Sequence, residues 1–245
     1  MRLAGPFPVP LPAIPLRHLR RRTKALQGLR GRPRGPGGSG ADRAIRHRNT
    51  LLLLAVSAYL ILFYGLTNYF PLRAPRTLPG FAFESRLEPI PWTGWIYLSY
   101  FGLLIFSGLR LRNSGYAARS AGAIAFVITL SGAFFLLYPT TIVRSPLAGD
   151  GLSASVLRWI RRVDPPNNCF PSLHVAMSFI CALLLLRTSH RAGVPVLLWA
   201  ILVSISTVTT KQHTLLDALG GIAVAVLGFS IFFWRPTAPA RRTAG

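Results

Sequence analysis

Six apolar stretches, each near the ~20 residues a helix needs to cross the ~30 Å hydrocarbon core of a bilayer, dominate the chain. They cover residues 50–70, 92–109, 117–138, 170–186, 194–210 and 214–234. The fourth and fifth are the shortest, which leaves room there for a tilted or partly embedded segment. With 51% hydrophobic and only 14% charged residues in 245, the composition excludes an ordinary soluble domain of this length. The expectation is an all-α polytopic membrane protein with six transmembrane helices. A basic, disordered cytoplasmic tail would occupy residues 1–48, the membrane domain residues 49–235, and a short cytoplasmic tail residues 236–245.

In a soluble chain, a formal charge of +22 would point to nucleic acid. Location accounts for it here, and no nucleic-acid partner is expected. Twelve Lys and Arg precede residue 49, and Arg110, Arg112, Arg119, Arg187, Arg191, Arg235, Arg241 and Arg242 fall in the loops and tail on the same side. Cytoplasmic loops carry such an excess, so both termini are expected to be cytoplasmic. Within the tail, Leu16, Leu19, Leu26 and Leu29 face away from Arg17, Arg20, Arg21, Arg22 and Lys24 on a helical projection. That pattern suits an anionic membrane surface, and a flexible basic tail that only fixes topology suits the same residues. Prolines at positions 6, 8, 10, 12 and 15 interrupt any apolar signal core, so no secretory signal is expected. Cys169 and Cys181 are about 18 Å apart along one helix, beyond disulfide reach.

With that topology, three polar clusters meet on one membrane face: LLYPTTIVRSP, NNCFPSLH and STVTTKQHTLLDALGG. Their Arg144, His174, Lys211, His213 and Asp217 are costly near hydrocarbon unless paired, solvated or used. The chemistry they suit is phosphoryl transfer, which asks mainly for charge neutralisation and positioning. His213 and Asp217 are four residues apart and share a helical face, so the carboxylate can hold one ring nitrogen while the other attacks. His174 on a separate helix suits proton donation to the leaving oxygen. Arg144, Ser172 and Lys211 are the expected phosphate-binding groups. Asn168 as a cap, Pro171 in the first turn and His174 at the water interface also suit plain helix initiation.

Phe-Pro-Ser-Leu-His at 170–174 and the run from Ser206 to Asp217 resemble the second and third motifs of the type 2 phosphatidic acid phosphatase superfamily. Thr-Lys-Gln-His at 210–213 makes the chain similar to its inositol phosphotransferase branch, which contains inositol phosphorylceramide synthases. The resemblance implies that family's six-helix membrane fold, no metal or other cofactor, a phosphohistidine on His213, orientation by Asp217 and proton donation by His174. Four features depart from the pattern: Leu137 stands where the first motif has lysine, its Arg-Pro ending reads Arg144-Ser145-Pro146, Thr207 stands where the third has arginine, and Leu173 where the second has glycine. Lys211 is a candidate replacement for a missing cation. The two lost cations favour a phosphodiester donor, which carries less charge than a monoester, with Leu137 and Thr207 as an uncharged wall.

Between the first two motifs, Leu152, Val156, Trp159, Ile160 and Val163 form one helical stripe opposite Arg158, Arg161 and Arg162. An interfacial amphipathic helix is expected there, as a lid or as simple peripheral packing. The expected protein is a lipid phosphotransferase taking a phospholipid donor, with a lipid hydroxyl or water as acceptor. A lipid phosphate phosphatase is the nearest alternative, and a silent scaffold, a transporter or a metal-dependent hydrolase are more distant ones. The abundance of Arg, Ala and Gly suggests a bacterial plasma membrane with an extracytoplasmic site, and a eukaryotic lumen satisfies the same charge rule.

Overall fold

A computed structural model describes residues 40–234 of the chain. Of the expected tails, residues 1–39, including the basic helical face at 16–29, and residues 236–245 lie outside the described residues. The elements are α1 (Gly40–Tyr69), β1 (Arg76–Thr77), α2 (Ala82–Arg86), α3 (Thr93–Leu111), α4 (Ala117–Leu137), β2 (Thr140–Thr141), α5 (Leu152–Val163), α6 (Leu173–Thr188), α7 (His190–Thr209) and α8 (Leu215–Phe233). Residues 40–48, placed in the tail on composition, are already helical at the start of α1.

Five of these helices, α1, α3, α4, α7 and α8, are long and apolar enough to cross a bilayer. The fourth apolar run is the discrepancy, because it forms the 16-residue α6 and not a full-length span. At ~1.5 Å per residue α6 is about 24 Å long, short of a ~30 Å core. Local chemistry sets both of its ends. Ser172 caps the first turn by accepting from the Val175 amide at 3.4 Å, which keeps Phe170 and Pro171 outside the helix, and Ser189 breaks it before α7 begins. A helix ringed by other helices has no lipid to match. Val175, Ala176, Ile180, Ala182 and Leu184 of α6 have zero exposure, and α3, α4, α7 and α8 surround them. The core is built around it, with Leu103, Val127, Ile128, Phe135, Val203 and Ala225 facing inward. Small residues at these crossings allow close helix approach where lipid offers no hydrophobic drive.

The one departure from all-α structure among the described residues is a parallel pairing of β1 with β2, Arg76 opposite Thr140 and Thr77 opposite Thr141. Thr140 continues the pairing: its carbonyl accepts from the Cys169 amide at 3.2 Å and its hydroxyl from the Phe170 amide at 2.7 Å. These bonds tie the segment before α6 to the end of α4.

The α5 helix forms as expected, but its apolar residues serve two sides. Leu157 and Ile160 are buried against Tyr97 of α3, whereas Leu152, Trp159 and Val163 point outward. Its arginines divide too. Arg158 stays outside near Asp150, while Arg161 turns inward and donates to the carbonyls of Ser145 at 2.7 Å and Thr210 at 3.2 Å.

Helix α1 lies most open to its surroundings, and it is fixed mainly along α4 and at its ends. The Phe63 ring fills the space over Gly132, where a Cβ would overlap it. Tyr59 Oη is 3.1 Å from Thr129 Oγ1, and the Asn49 amide donates to the Arg112 carbonyl at 3.0 Å.

Candidate active site

The three polar clusters converge at one end of the bundle. The α7–α8 turn presents His213: the amides of Gln212 and His213 both donate to the Thr207 carbonyl, at 3.0 and 3.1 Å, consuming an acceptor that a helix end leaves free. Reversal of the chain at this point puts Lys211 in the left-handed region, φ 58°, where glycine is usual. That conformation costs about 1–2 kcal/mol, and the Lys211 ammonium donates to the Glu84 carbonyl on α2. Lys211 therefore braces the turn, and among the described hydrogen bonds it joins none of the other site residues.

His213 Nδ1 lies 3.0 Å from the Cys169 carbonyl and 3.8 Å from Asp217 Oδ2. The nearer partner of the ring is thus a backbone oxygen. Asp217 Oδ2 also accepts from the Thr214 amide at 2.7 Å, while the Asp217 amide donates to Thr214 Oγ1 at 3.2 Å, a reciprocal cap at the start of α8. Asp217 Oδ1 is buried without a partner. Glu84 reinforces the same helix start, its Oε1 accepting from the Leu215 amide at 2.7 Å. With Nδ1 occupied, Nε2 is the free nitrogen of His213.

Ser172 brings the second histidine up to the first. Its amide donates to the Asp217 carbonyl at 2.9 Å, tying the start of α6 to α8. Gly221 makes the approach possible, since a Cβ there would come within 2.5 Å of the Ser172 carbonyl oxygen. The Ser172 hydroxyl accepts the capping bond from the Val175 amide and keeps its O–H to donate. His174 follows, and its ring centroid is 6.0 Å from that of His213.

Around His174 stands a set of residues that sequence reasoning missed. The rings of Tyr97 and Tyr100 are 4.6 and 4.7 Å from it, and Tyr64 is 6.2 Å away. Tyr97 Oη lies 2.9 Å from His174 Nε2 and donates to Asp164 Oδ2 at 2.8 Å. Asp164 Oδ1 accepts from Tyr64 Oη at 2.7 Å and Asn68 Nδ2 at 2.9 Å. A carboxylate is therefore linked through one phenol to His174, in addition to the one near His213. Asp164 terminates α5, Tyr97 sits on α3, and Tyr64 and Asn68 on α1. Nothing in local spacing reveals three elements meeting at one acid.

Arg144 donates to the carbonyls of Arg161 at 3.1 Å and Asp164 at 2.8 Å and to the side-chain oxygen of Gln212. Gln212 is buried, adjoins His213 and joins Arg144 to the α7–α8 turn. The guanidinium of Arg161 lies close enough that burial and then Arg144 hold its pKa down to about 10. It stays charged near neutral pH, so two cations sit together with no carboxylate of the described residues within ion-pair distance. Arg161, not Lys211, is thus the second cation beside Arg144. The wall expected from Leu137 and Thr207 is absent: Leu137 is 68% exposed, and the buried Thr207 turns its hydroxyl to the Ser204 carbonyl at 2.7 Å.

Cys169, His213 and Asp217 offer ligand atoms within 4.8 Å of one another and are the described residues that could hold a metal. Their donors are partly committed, and burial pushes the Cys169 thiol up, away from the thiolate a metal binds.

A family model described as the PAP2 superfamily matches residues 92–231, a segment that includes α3 to α6, α7 and most of α8. No curated protein and no solved structure matches the chain.

Proposed function

The chain belongs to the PAP2 superfamily, a group of phosphatase- and phosphotransferase-type lipid enzymes, and from that premise we propose that it is a metal-independent lipid phosphotransferase working through a covalent histidine. Nε2 of His213 attacks phosphorus and the N–P bond forms. The P–O bond to the lipid alcohol breaks, and the departing oxygen takes a proton from His174. In the second half, an acceptor hydroxyl returns its proton to His174 as it attacks the phosphohistidine. Arg144 and Arg161 neutralise the oxygens that do not move, and Asp217 with the Cys169 carbonyl holds the nucleophile. The observation that carries this reading is the 6.0 Å separation of the two histidine rings, each with its own hydrogen-bonding partners. That spacing suits action on opposite sides of one phosphorus.

The favoured reaction moves a phospho-head group from a phosphodiester lipid to a lipid hydroxyl. Its support is the likeness of Thr-Lys-Gln-His at 210–213 to inositol phosphotransferases. A phosphatase acting on phosphatidic acid or a polyprenyl phosphate is the second reading, favoured by the two adjacent cations, which suit a doubly charged monoester. The purified protein should be given phosphatidylinositol with a lipid alcohol, and separately phosphatidic acid alone, with and without chelator. Head-group transfer that survives chelation is expected. Free phosphate released faster than any head group moves gives the phosphatase reading, and loss of turnover on metal removal defeats the mechanism.

The proposal includes six membrane crossings, α6 counted with the five longer helices, in a bacterial plasma membrane. It places the histidines on the extracytoplasmic face, both termini in the cytoplasm, and the basic tail against anionic lipid. A cysteine in place of the exposed Ala148 should react with an impermeant thiol reagent outside intact cells, whereas one replacing Asn113 should react only after lysis. Both native cysteines are buried and give little background. The reverse pattern would put the site in the cytoplasm.

A further inference from the structure

A cavity of about 530 Å³ lies between α1 and α3, and His174 is one of its lining residues. Tyr64 and Tyr100 flank the histidine end, while Thr50 and Arg112 line the opposite end. Between them the walls are aliphatic or aromatic. Ser57, the hydroxyl along the way, donates to the Leu53 carbonyl of its own helix at 2.9 Å. Leu54, Ile61, Phe101 and Ile105 line the cavity and are 56–71% exposed, so it opens sideways onto the surface that faces lipid. From Thr50 to Tyr64, a helical rise of ~1.5 Å per residue gives a length of about 21 Å, against ~15 Å for half of a bilayer core.

We propose that this groove seats one long hydrocarbon chain of the lipid alcohol whose oxygen leaves phosphorus beside His174, and that its polar end at Thr50 and Arg112 sets the chain length accepted. The assignment rests on the reaction proposed above. It goes beyond it in naming which of the two lipids is held, and where. The groove adjoins His174 and not His213, and His174 is the group that passes a proton to the departing oxygen. A chain attached to that oxygen therefore leads straight into the space beside the histidine. The groove runs deeper than one leaflet, so it favours a chain held extended over a disordered one. A polar floor at Thr50 and Arg112 gives no apolar surface for further methylenes, and the gain from each added carbon ends there.

Gly108 supplies the test. It lines the deep half of the groove, and a Cβ built on it meets no heavy atom within 4 Å. Gly108→Phe therefore fills the floor without a clash at the point of attachment. With full-length protein in detergent micelles, kcat/KM should be measured for dipalmitoyl and dioctanoyl forms of the same phospholipid donor. Wild type should prefer the longer chain, and the long-to-short ratio should fall at least ~tenfold in Gly108→Phe as buried methylenes are displaced. An unchanged ratio overturns the proposal. Should wild type turn over neither lipid, the reaction reading fails on its own, and the groove is still judged by labelling with a photoactivatable hexadecanol. Crosslinks concentrated on 53–64 and 101–109, and reduced in Gly108→Phe, support the seat. Labelling spread evenly over all lipid-facing helices refutes it.

Discussion

His213→Ala is expected to lower turnover by on the order of 10⁴-fold or more, the scale of losing a covalent nucleophile. It should also abolish any phosphoenzyme trapped by acid-free quenching from a phosphate-labelled donor. The geometry makes the expectation specific to one nitrogen. Nδ1 is engaged by the Cys169 carbonyl at 3.0 Å with Asp217 behind it, so the phosphoryl group should reside on Nε2. Asp217→Asn should be milder in phosphoenzyme formation than His213→Ala, because the carbonyl still holds the ring. The Asn variant also keeps a side-chain oxygen for the Thr214 amide. Phosphate recovered on any other residue would end the covalent-histidine mechanism.

Tyr97→Phe and Asp164→Asn should each reduce kcat by about 10²-fold with natural lipid donors, the lower end of what general acid catalysis contributes. Both break the link from the acid to His174: the first removes the phenol at 2.9 Å from Nε2, the second the charge that the phenol donates to at 2.8 Å. A purely structural effect would depress all substrates alike. A donor with an activated aryl leaving group needs no proton on departure, so the variants should approach wild type with it. Equal loss on both donors would mean that the tyrosine and the acid support packing and not proton transfer. Asp164→Asn carries the larger folding risk, because Tyr64 and Asn68 also donate to that carboxylate and the Asn amide can satisfy only part of the set. Agreement between the two variants separates the outcomes.

The membrane-length helices were legible because hydropathy reports the requirement directly: no backbone polar group can be left unpaired in lipid. Five of the six runs became long helices, while α6 is ended early by Ser172 and Ser189, a shortness that its enclosure by other helices tolerates and hydropathy does not report. His174, His213 and Asp217 stood out in the sequence as polar groups beside apolar runs, and they do meet at one end. The remainder of the site was hidden because it is assembled by partners far apart in the chain. Asp164 follows a helix that read as amphipathic, Tyr97 reads as one more interfacial aromatic, and Arg161 sat on a projected polar face. The arginine misled because a helical projection assigns one apolar and one polar side, whereas α5 is packed on one flank and open on another. Lys211 misled by charge alone; its left-handed backbone and its bond to Glu84 are turn properties that composition does not show.

Helix α1 has a consequence for how such a chain diversifies. It precedes the segment matched by the family, yet it gives Tyr64 and Asn68 to the Asp164 network and one whole wall to the cavity. Its catalytic commitments are confined to the last two turns, and Leu53, Leu54, Leu60 and Ile61 bear no hydrogen bond that fixes either histidine. Substitution along those earlier turns is therefore uncoupled from the proton and phosphate chemistry. On the proposed reading, a lineage exchanges the lipid it admits by drifting at one helix while the histidine site stays under separate constraint.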